Sequence, residues 1–108
     1  MKNKLLSLLG FATKAGKLSF GAQASKAALC AKKAKLVVIS FEISAKSQKE
    51  ITFYANKVGV ETLLLQDIDI MTLSDAVGRK CGVLSVNDSS FANAIKAEMK
   101  MGGNVYDK

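Results

Sequence analysis

The feature that most constrains the fold is a run of consecutive apolar residues in the middle of the chain. Residues 36–39 read Leu-Val-Val-Ile, and an unbroken apolar, β-branched segment of this length is typical of a strand buried on both faces. Residues 60–65 and 81–86 are predicted to be two further buried strands, and residues 17–20 a short one. The sheet is therefore expected to be covered on both sides.

Helical patterns fill the intervals between these strands. Leucines recur at helical spacing near the start of the chain, an alanine-rich stretch follows, and glycines or capping side chains mark where helices begin and end. The first two predicted helices are residues 3–15, ending near Gly16, and residues 22–33, after Gly21. The third is capped by Ser44 or Ser47, carries the stripe Ile51, Tyr54, Ala55 and Val58, and ends before Gly59. A short fourth helix runs from a Thr72–Asp75 capping box to Gly78, and a fifth, capped by Asp88, carries Phe91, Ile95 and Met99.

Helices that alternate with short apolar strands predict an α/β fold, a three-layer α-β-α sandwich with helices on both faces of the sheet. The 108 residues suffice for one hydrophobic core. Hydrophobic residues make up 49% of the chain and charged residues 23%, which is typical of a packed globular protein. We expect a single domain over residues 1–101, followed by a short polar tail at 102–108 that Gly102-Gly103 releases.

The positive charge is concentrated at one end of the sequence. Eight lysines precede the first acidic residue, Glu42, so residues 1–41 carry +8, whereas the rest of the chain, with the other eight cations and all nine acids, carries −1. A positive field of this kind attracts polyanions, so nucleic acid or an anionic membrane is the expected partner. A generic solubilising surface is the alternative explanation.

The sequence offers little that catalysis or export requires. It contains no histidine, no Walker A or GxGxxG loop and no CxxC pair, so no cofactor and no metal site is predicted. A Ser-Lys or cysteine nucleophile is the remaining catalytic alternative, but Cys30 and Cys81 are better interpreted as small packing residues. The apolar run after Lys4 is far shorter than the ~20 residues of a membrane span. We therefore expect a cytoplasmic protein that is not an enzyme.

The start of the second predicted helix, at Gly21, is the strongest candidate for a binding site. The first-turn N–H groups of a helix point outward and carry the positive end of the dipole, which suits a phosphate or a base acceptor. Lys14 and Lys17 precede this point in the sequence, and Lys26 and Lys33 fall on nearly one stripe of the helix. Solvated surface lysines with a helix-end role are the alternative interpretation.

The motifs along most of the chain resemble those of a known family. They are LLSLLGFA at 5–12, AGKL at 15–18, Gly21 opening a helix, AKLVVI at 34–39, and LSDAVG at 73–78 before VLSV at 83–86. In these residues the chain resembles the kink-turn-binding ribosomal proteins, the L-seven-Ae and L-thirty-e group, and among them the small bacterial YlxQ-like members.

The resemblance implies a four-stranded mixed sheet, no enzymatic activity, and binding of sharply bent RNA that contains tandem sheared G·A pairs. In the family, the helix at the matching glycine supplies a polar pair to the G·A edges and then a lysine to the backbone. Here Gln23 stands where Asn or Lys is usual, and Ala24 and Ala27 replace the polar partner and the lysine. Lys26, three residues after Gln23, is our candidate for the missing lysine.

The resemblance also implies two further contact regions, the loop matching residues 78–80 and the loop matching residues 40–43. Taken with the charge argument, the predicted RNA-binding residues are Lys14, Lys17, Gly21, Gln23, Ser25, Lys26, Lys33, Phe41, Glu42, Arg79 and Lys80.

The sequence thus predicts a monomeric RNA-binding protein whose partner is structured RNA, ribosomal or regulatory, and that does not bind membranes. Ribosomal or RNA-processing proteins are expected as further partners. One alternative is a protein-interaction adaptor on a ribosomal or RNA-processing complex that has lost kink-turn selectivity. Another is a helper domain for a separate RNA-modifying enzyme such as a methyltransferase.

Overall fold

The computed structural model describes the backbone of residues 2–106 and the side chains of residues 4–99. Helices and strands alternate along the chain as the sequence pattern predicts. The elements are α1 (Lys2–Lys14), β1 (Leu18–Phe20), α2 (Ala22–Cys30), β2 (Leu36–Ser40), α3 (Ala45–Lys57), β3 (Glu61–Leu65), α4 (Ile70–Val77), β4 (Val83–Val86) and α5 (Ser89–Tyr106). No helix in this part of the chain is both long enough and apolar enough to cross a membrane.

The four strands form one mixed sheet in the order β1-β4-β2-β3. β4 is antiparallel to both of its neighbours, whereas β2 and β3 are parallel. Val86 at the end of β4 lies opposite Leu18 on one side and Leu36 on the other. The last strand of the sheet therefore lies between the first two.

Helices cover both faces of this sheet. Val37 and Ile39 of β2 pack against α2 and α3, while Leu36 and Val38 of the same strand pack against α1, α4 and α5. Every residue of β2 and β4 is buried, which explains why residues 36–39 show no alternation of polar and apolar side chains. The three-layer α-β-α sandwich and its four-stranded mixed sheet are confirmed.

The prediction that residues 60–65 form a fully buried strand is wrong. β3 is an edge strand, and Glu61 and Leu64 are exposed while only Leu65 is buried. A run of leucines indicates a strand but cannot distinguish an edge from a centre position, since neighbours that are distant in sequence decide that.

The start of α4 and the end of α5 differ from the predicted ones. Asp69, not the Thr72–Asp75 pair, caps α4, because its carboxylate accepts a hydrogen bond of 2.7 Å from the Thr72 N–H. α5 continues through Gly102 and Gly103 to Tyr106, although its start at Asp88 is confirmed by a hydrogen bond from the Phe91 N–H. The predicted cap of α3 at Ser44 is also confirmed. The last two residues of the predicted polar tail, 107–108, lie outside the described residues.

The second helix ends at Cys30, three residues before the predicted end. The Lys32 N–H donates to the Leu29 carbonyl and the Lys33 N–H to the Ala28 carbonyl, which is the Schellman pattern. Lys32 occupies the left-handed position of that motif with φ of 61°. Glycine is the residue usually found there, since a side chain at positive φ is strained.

Replacing Lys32 with glycine is therefore expected to stabilise the fold. The left-handed strain disappears, and we expect the free energy of unfolding to rise by about 0.5 to 1 kcal/mol in urea titrations. Lys33→Gly is the matched control, because it removes the same charge at a position whose φ is not positive. It should leave stability unchanged or lower it, and equal gains from both variants would contradict a conformational origin.

Candidate nucleic-acid interface

Three segments meet at one end of the sheet, which we call the loop end: residues 20–24, 40–43 and 78–82. The Gly21 N–H donates to the Val83 carbonyl at 2.7 Å, and the Ser40 N–H donates to the Gly82 carbonyl at 2.8 Å. The start of β4 is thus bonded to the chain just after β1 and to the last residue of β2. These are the three regions to which the family resemblance assigns RNA contacts.

Gly21 opens α2 without a side-chain cap. Its φ of 91° is accessible mainly to glycine, and none of the described side chains caps the first turn. The first intrahelical bond is donated by the Ser25 N–H to the Gly21 carbonyl, so the N–H groups of the preceding helical residues have no helical acceptor. Gln23 lies exposed in this turn. The helix start therefore offers unpaired donors and a positive dipole end to an anionic or carbonyl acceptor.

The β2–α3 loop is bonded firmly to the start of α4. Ser40 donates its hydroxyl to the Ile68 carbonyl at 2.8 Å, and a Glu42 carboxylate oxygen accepts from the Ile70 N–H at 2.8 Å. Phe41 is 47% exposed and lies at the turn between them. Glu42 therefore accepts from the first N–H of α4, beside the Asp69 cap, a structural role that its position in the sequence did not reveal.

The α4–β4 loop presents a cation that stacks on Phe20, the residue before Gly21. Gly78 ends α4 in the left-handed conformation, and the guanidinium of the next residue, Arg79, lies 5.0 Å from the centre of the Phe20 ring. Such cation–π stacking holds a guanidinium while leaving its N–H donors available. Phe20 is the last residue of β1 and directly precedes Gly21, so the stacking joins the α4–β4 loop to the strand that leads into α2.

The charges at this end nearly balance. Arg79 and Lys80 line a shallow pocket together with the carboxylates of Glu42 and Asp75. The loop end is therefore suited to oriented hydrogen bonds rather than to strong long-range attraction of a polyanion.

Gly82 is a residue of this region that the sequence analysis missed. A Cβ atom at this position would lie 2.6 Å from Cγ2 of Ile43 and 3.1 Å from Ile70. A glycine inside a predicted strand is a recognised sign of close approach by another segment, and here the approaching segment is the β2–α3 loop. The glycine allows the loop to lie directly over the start of β4.

Several predicted residues lie away from the loop end. Lys17 and Lys33 are at the opposite end of the sheet, since Lys17 precedes β1 and Lys33 follows α2. Lys14 lines a groove between α1 and α4. Ser25 is completely buried, and its hydroxyl has no hydrogen-bond partner among the described residues. The expectation that Ser25 contacts RNA therefore does not fit the structure.

Lys26 is already engaged by α3. Its ammonium lies 2.7 Å from the Glu50 carboxylate and 5.1 Å from the centre of the Tyr54 ring. The hydrogen bond between the two side chains raises the pKa of Lys26 and lowers that of Glu50. The proposal that Lys26 replaces the family lysine would require this pair to open, although such an exposed pair is weak.

The interpretation of the two cysteines as small packing residues holds for Cys81 only, because Cys30 is exposed at the end of α2. Cys81 is buried, and desolvation raises the pKa of its thiol, which disfavours the reactive thiolate. Within the described side chains, no group of His, Cys, Asp and Glu is arranged to hold a metal ion.

Comparison with known proteins assigns the family. The profile of the Ribosomal protein L7Ae/L30e/S12e/Gadd45 family matches residues 3–96, which is most of the chain. The protein belongs to this family, and the resemblance noted from its motifs is confirmed at that level. A sequence search among curated proteins finds no significant match.

Solved structures confirm the fold. A protein with unknown function from Bacillus halodurans C superposes with a TM-score of 0.82 at 24% identity, covering 87% of this chain and 94% of its own. The Giardia lamblia 15.5kD RNA binding protein superposes with a TM-score of 0.70 at 18% identity, covering 89% of this chain and 82% of its own. At these identities the likeness establishes the architecture.

Replacing Gly82 with alanine is expected to displace the β2–α3 loop. The clash with Ile43 should cost about 1 to 3 kcal/mol of unfolding free energy. Ile43→Leu removes the Cγ2 methyl while keeping the side-chain volume, so the double variant should recover part of the loss in a double-mutant cycle. If the changes in unfolding free energy of the two substitutions simply add, contact with Ile43 is not what requires glycine at position 82.

Proposed function

We propose that this protein is a non-catalytic RNA-binding domain that recognises structured, kink-turn-like RNA at the loop end. The proposal rests on the start of α2 at Gly21, which no described side chain caps, and on the guanidinium of Arg79, which stacks on the preceding residue, Phe20. Backbone N–H groups and an arginine in fixed positions can meet base edges and phosphates of one bent RNA. Family membership and the fold shared with the Giardia RNA binding protein support the assignment.

The proposed contacts divide by role. Gln23 and the α2 backbone face the base edges, since the amide both donates and accepts. Arg79 and Lys80 hold the phosphate backbone, and Phe41 offers an exposed ring for stacking. Glu42 contributes indirectly by holding the loop that carries Phe41. The RNA is ribosomal or another structured RNA, and the protein acts in the cytoplasm as a monomer.

A second candidate function is that of a protein-interaction adaptor. Phe11 of α1 is 59% exposed and Met71 of α4 is 72% exposed. Large exposed apolar side chains of this kind are common at protein contacts. Weak RNA binding that is insensitive to salt would favour the adaptor over the RNA-binding domain, because release of counterions from RNA makes backbone contacts strongly dependent on salt.

Charge reversal at the loop end tests the proposed site. Arg79→Glu/Lys80→Glu should lower affinity for a kink-turn RNA by about tenfold or more, because both cations of the α4–β4 loop are lost. Lys49→Glu/Lys57→Glu on α3 is the matched control with the same change in net charge, and it should lower affinity only a few-fold. Filter binding at fixed salt measures both, and equal losses would contradict a site at the loop end.

Ala24 and Ala27, both exposed on α2, allow selectivity and affinity to be separated. Ala24→Glu adds a polar group toward the G·A edges and should change discrimination by roughly 1 to 3 kcal/mol. Ala27→Lys adds a cation toward the backbone and should tighten all RNAs alike. The measurement compares a kink-turn, the same RNA with its G·A pairs destroyed, and a plain duplex. If the wild type already prefers the kink-turn strongly and Ala24→Glu changes nothing, Gln23 and the backbone suffice.

A further inference from the structure

Four exposed lysines lie at the end of the sheet opposite to the loop end. Lysines that are distant in sequence meet there because β1 and β2 both begin at this end. We call this surface the basic end and define it by four exposed side chains, Lys17, Lys32, Lys33 and Lys35.

Hydrogen bonds to the end of β4 position two of these residues. The Lys17 carbonyl accepts from the Asn87 N–H, and the Lys35 N–H donates to the Val86 carbonyl, each at 2.7 Å. β4 lies between the strands that Lys17 and Lys35 precede, so their backbones are two strand spacings apart, about 10 Å. Two flexible ammonium groups at that separation can reach different phosphates of one RNA strand.

The turn after α2 presents the other two lysines. Lys32 and Lys33 follow the helix in the Schellman turn, and buried Ala34 separates them from Lys35. Lys32 is strained there, at a position where glycine is more stable. A side chain kept at a conformational cost suggests a contribution outside the fold itself.

None of the four lysines has an ion pair among the described residues, and the nearby acids have other partners. Glu61, opposite Leu36, lies 3.6 Å from the Lys96 ammonium, and Asp88 caps α5. The positive charge of the basic end is therefore not neutralised, in contrast to the pocket at the loop end, where two carboxylates face two cations. The unpaired lysine charges are thus at the basic end, whereas the first-turn N–H donors of α2 are at the loop end.

We propose that the basic end is a second RNA-binding surface, which takes the phosphate backbone of a duplex segment while the loop end holds a bent RNA. The proposal rests on the proposed function for its assumption that the polyanion is RNA. α2 is 9 residues long, or about 14 Å, and it runs from the loop end to the basic end, so the two surfaces lie beyond its opposite ends. One molecule therefore holds two RNA segments on opposite sides.

Binding of a plain RNA duplex of 16 base pairs, compared between two pairs of charge reversals, tests the basic end. Lys17→Glu/Lys35→Glu should lower duplex affinity by about tenfold and reduce the slope of log affinity against log salt by about 1.4 to 1.8, the value for two phosphate contacts. The control Lys46→Glu/Lys49→Glu, with the same charge change in the first half of α3, should lower affinity less than about threefold. Equal losses from the two pairs would overturn the proposal, because they would show only the field of the whole protein.

Simultaneous binding tests whether the two surfaces are independent. Protein saturated with unlabelled kink-turn RNA should still bind the labelled duplex and lose it on Lys17→Glu/Lys35→Glu. Displacement of the duplex in proportion to bound kink-turn RNA would overturn the proposal.

If Arg79→Glu/Lys80→Glu leaves kink-turn binding intact while duplex binding still depends on Lys17 and Lys35, the loop-end function fails and the basic end stands. Binding to anionic phosphatidylserine vesicles without duplex binding would instead make the basic end a membrane surface.

Discussion

The pairing of β4 with a strand on each side is the interaction on which the rest of the structure depends. Its start is bonded to the chain at Gly21 and Ser40, and its end to Lys17 and Lys35. β4 is antiparallel to both neighbours, and its four residues are fully buried. It therefore determines which residues of β1 and β2 lie at the same end of the sheet. The loop end and the basic end are the two ends of this one strand.

The layers of the fold could be predicted from the sequence because burial leaves a local mark. An uninterrupted apolar run at 36–39 requires cover on both faces, and the helical stripes supply it. The position of a strand within the sheet has no comparable local pattern in the sequence, so β3 was expected in the interior although it lies at the edge. Helix ends were also less certain, since Lys32 completes a Schellman turn that usually takes glycine.

The candidate site was predictable where the family resemblance named its segments, but not where residues were grouped because they are close in sequence. The segments at Gly21, Phe41 and Arg79 were identified from the family resemblance and do meet at one end. The lysines were grouped because they are close in sequence, but a strand of three residues separates Lys17 from Gly21. The contact between Lys26 and Glu50 joins residues 24 positions apart, and periodicity within one helix cannot reveal it.

The bonds of residues 40–42 to residues 65–70 make two loops into one cooperative unit. The Phe41 N–H donates to the Leu65 carbonyl, while Ser40 and Glu42 bond to Ile68 and Ile70. Neither loop can open without breaking bonds to the other, so their amide protons should exchange with solvent through shared opening events. An RNA that orders Phe41 would then slow amide exchange at the start of α4, beyond any residue that the RNA touches.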